Sequence, residues 1–392
     1  MLGFLLARAG VDVVVLEKHA DFFRDFRGDT IHPSTLELMH ELGLLPQFLQ
    51  LPHEKAHSIS ARFGDLRLTF ADFSHLPTQC RFVAFMPQWD FLDFIARQAR
   101  RYPNFDLKMQ AEVADLIEEN GRVAGVRAIT PDGPLDLRAD LVVGCDGRNS
   151  IVRERAGLVV DELGAPMDVL WFRLGRKPSD PAGTMGVFDA GHIFIMIDRG
   201  DYWQCAFVIP KGSLQDVRQR GIESLREEIV RIEPWLNDRA GEIADWKQVH
   251  LLTVSVNRVR QWYRPGLLCI GDAAHAMSPV GGVGINLAVQ DAVAAANILA
   301  EALRQGGNVD ALLPKVQKRR EWPTRVTQRL QVLIQNTVIR DVLGSREKVK
   351  PPLVARLIGK LPFLRRIPAR FIGLGIRPEH IETEEYRPAT AG

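Results

Sequence analysis

Cysteine is scarce in this chain. Only Cys80, Cys145, Cys205 and Cys269 occur in 392 residues, and none forms a CxxC pair. That spacing argues against a zinc site or a disulfide scaffold, and it fits a reducing, cytoplasmic setting. Charge of one sign is missing too: 50 Lys+Arg against 48 Asp+Glu leave +2, too balanced for a protein that lives on nucleic acid. No apolar run reaches the roughly 18 residues of a membrane-spanning helix. What remains is 46% hydrophobic and 25% charged, long enough for two or three domain-sized units. Such a composition is globular and argues against disorder or a repeat array.

A GxGxxG turn is missing as well. Leu2 to Ala9 carries helix formers, Gly10 sits where a helix stops, and Val11 to Leu16 is a β-branched run closed by Glu17 and Lys18. The first ten residues have neither the basic n-region nor the apolar length of a signal peptide. Helix, glycine turn, parallel strand and terminal acid form the second half of a dinucleotide-binding βαβ unit, whose acid bonds ribose hydroxyls. The first half is expected upstream of Met1, roughly 15 residues by the usual length of a strand and its turn. On that expectation Met1 is a misplaced start. A chain of these residues alone would lose a sheet strand and a pyrophosphate cradle, and would bind a dinucleotide weakly.

Two later segments carry chemistry. Asp140 to Ser150 is an apolar strand followed by Asp146-Gly147, which by itself reads as a turn. Gly266 to Asn286 is a short buried strand ending at Gly271-Asp272, then a loop through Pro279 into Gly281, Gly282 and Gly284, then a helix from Ile285. Glycines just before a helix expose N–H donors at its positive end, which suits an anion or a ring gaining negative charge. A tight turn explains one glycine there, but not three and a proline. Met86-Pro87-Gln88-Trp89 opens an amphipathic stretch, with Asp90 as a cap.

In order and spacing, the Glu17 strand, Asp146-Gly147 and the Gly271-Asp272 segment resemble the FAD-dependent aromatic hydroxylases, the single-component class A flavoprotein monooxygenases of the para-hydroxybenzoate hydroxylase type. The likeness covers about residues 1 to 335. It implies an α/β fold: a Rossmann-like FAD-binding domain, an inserted mixed or antiparallel substrate sheet, and a C-terminal helical segment. The FAD domain would be discontinuous, with residues 1–75, 76–164 and 256–335 around a substrate sheet at 165–255, and residues 336–392 forming the C-terminal part. The resemblance implies bound FAD, NADPH or NADH as co-substrate, and transfer of oxygen from O2 through a flavin hydroperoxide to a phenolic or polycyclic aromatic ring.

It also implies site residues. Glu17, with Lys18 beside it, would hold the adenosine ribose; Arg27 and Gln88 would lie along the FAD chain, and Val113 near the adenine. Asp146 and Gly147 would form the second fingerprint, and Asp272, after Gly271, would bond the ribityl hydroxyls. Pro279 and the amides of Gly281, Gly282, Val283, Gly284, Ile285 and Asn286 would face the isoalloxazine. No catalytic acid or base is assigned, no metal cluster is seen, and His275 reads as a packing residue. Two other readings stand beside this one: an FAD oxidoreductase on an isoprenoid or quinone ring, and a flavin-free remnant serving as a binding module.

Val169 to Leu174, His192 to Ile197 and Tyr202 to Ile209 alternate as strands. Trp171 and Arg173 share a face and are the pocket candidates, an apolar ring and a cation suited to a phenolate or carboxylate. A core Trp and an outward Arg explain them as well. Arg340 to Arg377 holds ten Lys and Arg against Asp341 and Glu347, a local +8 that leaves −6 for the rest. Basic residues among Leu, Ile and Phe bind an anionic membrane or a partner, yet a Pro-broken segment packed on the domain is the favoured reading. Glu379 to Gly392 is expected to fray. The expected partners are a small aromatic substrate and O2, with the chain a monomer or homodimer.

Overall fold

The computed structural model describes residues 1–23, 30–181, 183–345 and 347–387. Helix α1 (Leu2–Arg8) buries Leu2, Phe4, Leu5 and Leu6, and the chain turns at Gly10 into strand β1 (Val13–Glu17). Gly10 has φ +84°, and a Cβ there would meet the Tyr386 ring at 2.7 Å. Both the turn and the close approach require glycine. After α2 (Pro33–Glu41) come strands β2 (Ser58–Phe63) and β3 (Leu66–Asp72), helix α3 (Gln88–Ala99) and strand β4 (Phe105–Met109). β4 runs parallel to β1, with Val13 opposite Phe105 and Glu17 opposite Met109.

Strands Glu112–Glu119, Arg122–Thr130 and Gly133–Arg138 form a separate antiparallel sheet that leads into β5 (Val142–Gly144). Then the substrate-side strands begin: β6 (Met167–Gly175), β7 (Met185–Asp189), β8 (His192–Asp198) and β9 (Tyr202–Pro210). Helix α4 (Ile222–Ile232) covers them and β10 (His250–Leu252) ends the run. Strand β11 (Leu267–Cys269) returns to pair in parallel with β5. Helices α5 (Gly284–Arg304), α6 (Leu313–Ile334), α7 (Leu353–Lys360) and α8 (Arg366–Leu374) complete the chain.

The substrate sheet has seven strands in the order β10-β6-β9-β8-β7-β2-β3, antiparallel except where β7 meets β2. β2 and β3 therefore stand on the substrate side, although residues 1–75 read in sequence as part of the FAD domain. The β7 pairing carries them there, and pairing with a distant strand leaves no local signal. Alternation gives the sheet two faces. Leu170, Phe172 and Leu174 of β6 pack with Leu225 and Ile229 of α4. Met167, Val169 and Trp171 turn to a cleft on the other side.

α5 is long and apolar enough by composition to cross a membrane, but two-thirds of that stretch is buried inside the protein. Val293, Ala295, Ala296 and Leu299 sit in the main core with Leu5, Leu268 and Cys269. Core packing accounts for the apolarity.

The C-terminal stretch departs from expectation. Instead of fraying, residues 379–386 lie along the FAD-side core: Tyr386 N donates to Arg8 O at 2.8 Å, Tyr102 Oη to Glu385 at 2.7 Å, and Glu379 is buried. The reason is electrostatic. Arg320 on α6 is 1% exposed, and Glu379 supplies one of its two carboxylate partners.

Candidate active site

One cleft of 2960 Å³ joins the ends of β1 and β5, the glycine loop before α5 and the open face of the seven-stranded sheet. A single drug-sized ligand needs about 300–1,000 Å³. This space is large enough for a dinucleotide and a second molecule together. β1 and β5 are not hydrogen-bonded to each other, and the cleft passes between them.

The glycine loop is held from three sides. Val280–Gly282 is a single 3₁₀ turn with Gly281 at φ +80° and Gly282 at φ +62°. A Cβ on Gly282 would stand 2.3 Å from Thr30 Oγ1, which donates to Gly282 O at 2.9 Å. Asn286, on the first turn of α5, accepts from His32 N at 2.9 Å and Thr35 Oγ1 at 2.7 Å. Its Nδ2 donates to Thr30 O and Gly282 O. The N–H groups of Gly284 and Ile285 find no protein acceptor among the described residues. They are open donors at the positive end of a six-turn helix.

Behind the loop lies a buried charge cluster. Asp291 of α5 accepts from Gly271 N at 3.0 Å, His275 Nε2 at 2.6 Å and Arg320 Nε at 2.9 Å. Burial alone would raise its pKa, but His275 and Arg320 outweigh that and hold the carboxyl below its ordinary range. His275 is buried against Trp262 and does not line the cleft; beyond the packing expected of it, it holds Asp291 through its Nε2.

Glu17 and Lys18 sit at the end of β1 on the cleft wall, and Glu17 Oε1 accepts from His19 N at 3.0 Å. Gln88 opens α3, and Val113 lies on strand Glu112–Glu119; both face the cleft. Asp146 and Gly147 reach it too, but the Asp146 carboxylate is engaged by Ser150 Oγ and Val152 N, which shapes the turn into Ile151–Arg155. Gly271 and Asp272 form the turn after β11, and Pro279, Gly281, Gly282, Val283, Gly284 and Ile285 line the cleft. Asn286 does not, because its side chain is committed to the Thr30–Thr35 segment. Arg27 lies outside the described residues.

Trp171 lines the cleft; Arg173 does not. They share a strand face as expected, but Arg173 is about 7 Å farther along it. There it is exposed and stacked on Tyr202, 4.8 Å to the ring centroid.

Arg148 is a residue that sequence reasoning passed over. Its Nε is 3.3 Å from Asp272 Oδ2 and its Nη2 3.4 Å from Met277 O, while Nη1 is buried with no acceptor among the described residues. Its place after Asp146-Gly147 was the available signal, since only the fold brings it against Asp272.

These features fit FAD. A loop that a Cβ would close, open helix N–H groups and an unsatisfied guanidinium N–H beside an acid are what an anionic, ring-bearing cofactor requires. Fold and loop together define an FAD-dependent oxidoreductase whose cleft continues onto an apolar sheet face.

The comparisons give the family. Residues 1–330 match the FAD binding domain family, and the chain belongs to it. It is 31% identical, over 99% of its own length and 93% of the relative's, to 6-methylpretetramide 4-monooxygenase of Streptomyces rimosus. It is 26% identical to a probable NADH-specific resorcinol 4-hydroxylase of Rhodococcus jostii, over 95% of this chain and 70% of that one. The fold matches p-nitrophenol 4-monooxygenase from Pseudomonas putida with a TM-score of 0.74 at 20% identity, covering 96% of this chain and 95% of the other. The protein is an FAD-dependent monooxygenase of the aromatic hydroxylase type.

Proposed function

We propose that the protein hydroxylates a phenolic ring of a polycyclic aromatic substrate. The observation that carries this is the sheet face opposite the glycine loop. Trp171 and Ile195 line the same cleft as Gly281 to Ile285, backed by Met167, Val169 and Val208, which pack on Ile339 and Val342, and give an apolar wall suited to an aromatic ring system. The relative from Streptomyces rimosus, named for a polycyclic substrate, supports it.

FAD held in this cleft would supply the redox chemistry, taking reducing equivalents from NAD(P)H and activating O2 for insertion of one oxygen atom into the ring, the other being released as water. The chain's own groups do the placing. Glu17 is suited to the adenosine ribose, with Lys18, Gln88 and Val113 along the same wall. Asp272, oriented by Arg148, is suited to the ribityl hydroxyls. The open N–H groups of Gly284 and Ile285 are suited to stabilising negative charge on a bound ring, about 2–4 kcal/mol each if they act as oxyanion-hole donors do. The apolar sheet face excludes water from the reacting ring.

The test is oxidation of NAD(P)H by the FAD-loaded protein under isotopically labelled O2. Polycyclic phenols should stimulate it about tenfold or more, by analogy with binding-driven activation, and the product should carry one labelled oxygen. Stimulation only by single-ring phenols would overturn the substrate class. Product formed without labelled oxygen would overturn hydroxylation.

A further inference from the structure

The C-terminal helices leave an apolar face that nothing covers among the described residues. α7 is seated on β3 by Ala355 and Gly359; a Cβ on Gly359 would already meet Leu68 at 2.6 Å. That fixes its opposite side outward. Leu353, Leu357 and Leu361 follow at i, i+4 and i+8 with Val354 beside them, and Leu353 is 80% exposed. Phe363 and Ile367 extend the patch onto α8, where Ile367 is 67% exposed. Six of the protein's exposed large apolar side chains thus fall within fifteen residues. Scattered exposed apolar residues need no explanation; a contiguous set marks an interaction surface.

The same face is ringed by cations. Lys360, Arg366 and Arg370 are exposed on the outer sides of the two helices, and Lys350 precedes them. Lys350, Lys360 and Arg370 make no ion pair among the described residues. The segment Arg340 to Arg377 carries +8 on a chain that is otherwise −6. An isologous dimer through this face would set those cations against themselves, so charge argues against a second copy.

We infer that the α7–α8 face docks on an anionic lipid bilayer. Leu353, Leu357, Leu361 and Phe363 enter the headgroup–acyl boundary, and the flanking Lys and Arg meet the lipid phosphates. The site gains from this placement. Ile358, Ile367, Pro368 and Phe371 of the same helices line the active-site cleft, so docking sets one wall of the cleft against the membrane surface, where apolar rings partition. Only that last consequence rests on the proposed function.

Vesicle flotation of the full FAD-loaded chain tests the docking without turnover. Phosphatidylcholine vesicles are compared with vesicles one-third phosphatidylglycerol, at about 0.1 M salt. The anionic vesicles should bind at least about tenfold more strongly. K360E/R370E and L353S/L357S should each lower that binding at least about tenfold, with FAD absorbance and melting temperature unchanged because all four residues are exposed. Equal binding to both vesicles, or wild-type binding by L353S/L357S, would overturn the inference. So would a dimer, without vesicle binding, that Leu357→Ser dissolves; that result assigns the face to a second copy.

Discussion

The side chain of Asn286 bonds in both directions. Its oxygen takes the N–H of His32 and the hydroxyl of Thr35, and its nitrogen gives to Thr30 O and Gly282 O. One buried amide therefore fixes the distance between the start of α2 and the glycine loop. Asn286→Asp removes both donors and turns a carboxylate toward two carbonyls, at a cost of about 2 kcal/mol or more. FAD affinity should fall with it, measured by quenching of flavin fluorescence on titration. Gly282→Ala probes the same loop differently: φ +62° and a Cβ 2.3 Å from Thr30 Oγ1 give about 2 kcal/mol of strain. Its mark should be weaker flavin binding in near-native protein. Pairing it with Thr30→Ser leaves the clash in place, whereas Thr30→Gly removes it and should recover part of the affinity.

At the scale of elements, the strap at 377–386 reaches the site through α6. Glu379 holds Arg319 and Arg320; Arg320 holds Asp291; and Asp291 holds Gly271 N, one residue before Asp272. Glu379→Ala leaves the buried Arg320 with one carboxylate instead of two. The expected loss is about 3 kcal/mol, read from chemical denaturation. Glu379→Gln keeps an acceptor and should lose less. The β1 strand, the Asp146 turn and the loop into α5 were legible because each writes its backbone demand locally, in β-branched runs and glycines. The strap was not legible. Its residues are polar and read as a frayed tail, and the partners that order them, the arginine buried 59 residues earlier together with Arg8 and Tyr102, all come from distant sequence. Arg148 and the placement of β2 and β3 were hidden for the same reason: their partners come from distant sequence. Trp171 and Arg173 mark the limit of parity, which gives a face but not where along it the cleft ends.

For the whole molecule, acid sensitivity joins the two halves. On the FAD side, burial pushes His32 down to about 4, against the opposing bond from its Nδ1 to Ile372 O at 2.7 Å, which ties α2 to α8. Between pH 6.5 and 4 the unfolded chain binds this proton and the folded one does not, so stability falls as pH falls through that window, by about 3 kcal/mol in all. On the substrate side, the Asp180 side chain is buried against Arg239 and Trp203. Burial would raise its pKa, but Arg239 at 2.7 Å, with Trp203 Nε1 at 2.9 Å, holds it at about 2. Its contribution is complete above pH 3.8 and is lost as pH falls from there toward 2, about 2 kcal/mol. The two windows barely overlap, so they can be separated. His32→Phe should flatten the profile of denaturation midpoint against pH above 4 and leave the steep fall below it. Asp180→Asn should lower stability near neutrality, by leaving the buried Arg239 with Asp238 as its one carboxylate, and leave the upper arm intact. If His32→Phe instead leaves the decline between pH 6.5 and 4 unchanged, the neutral His32 is not what couples the FAD side to acid.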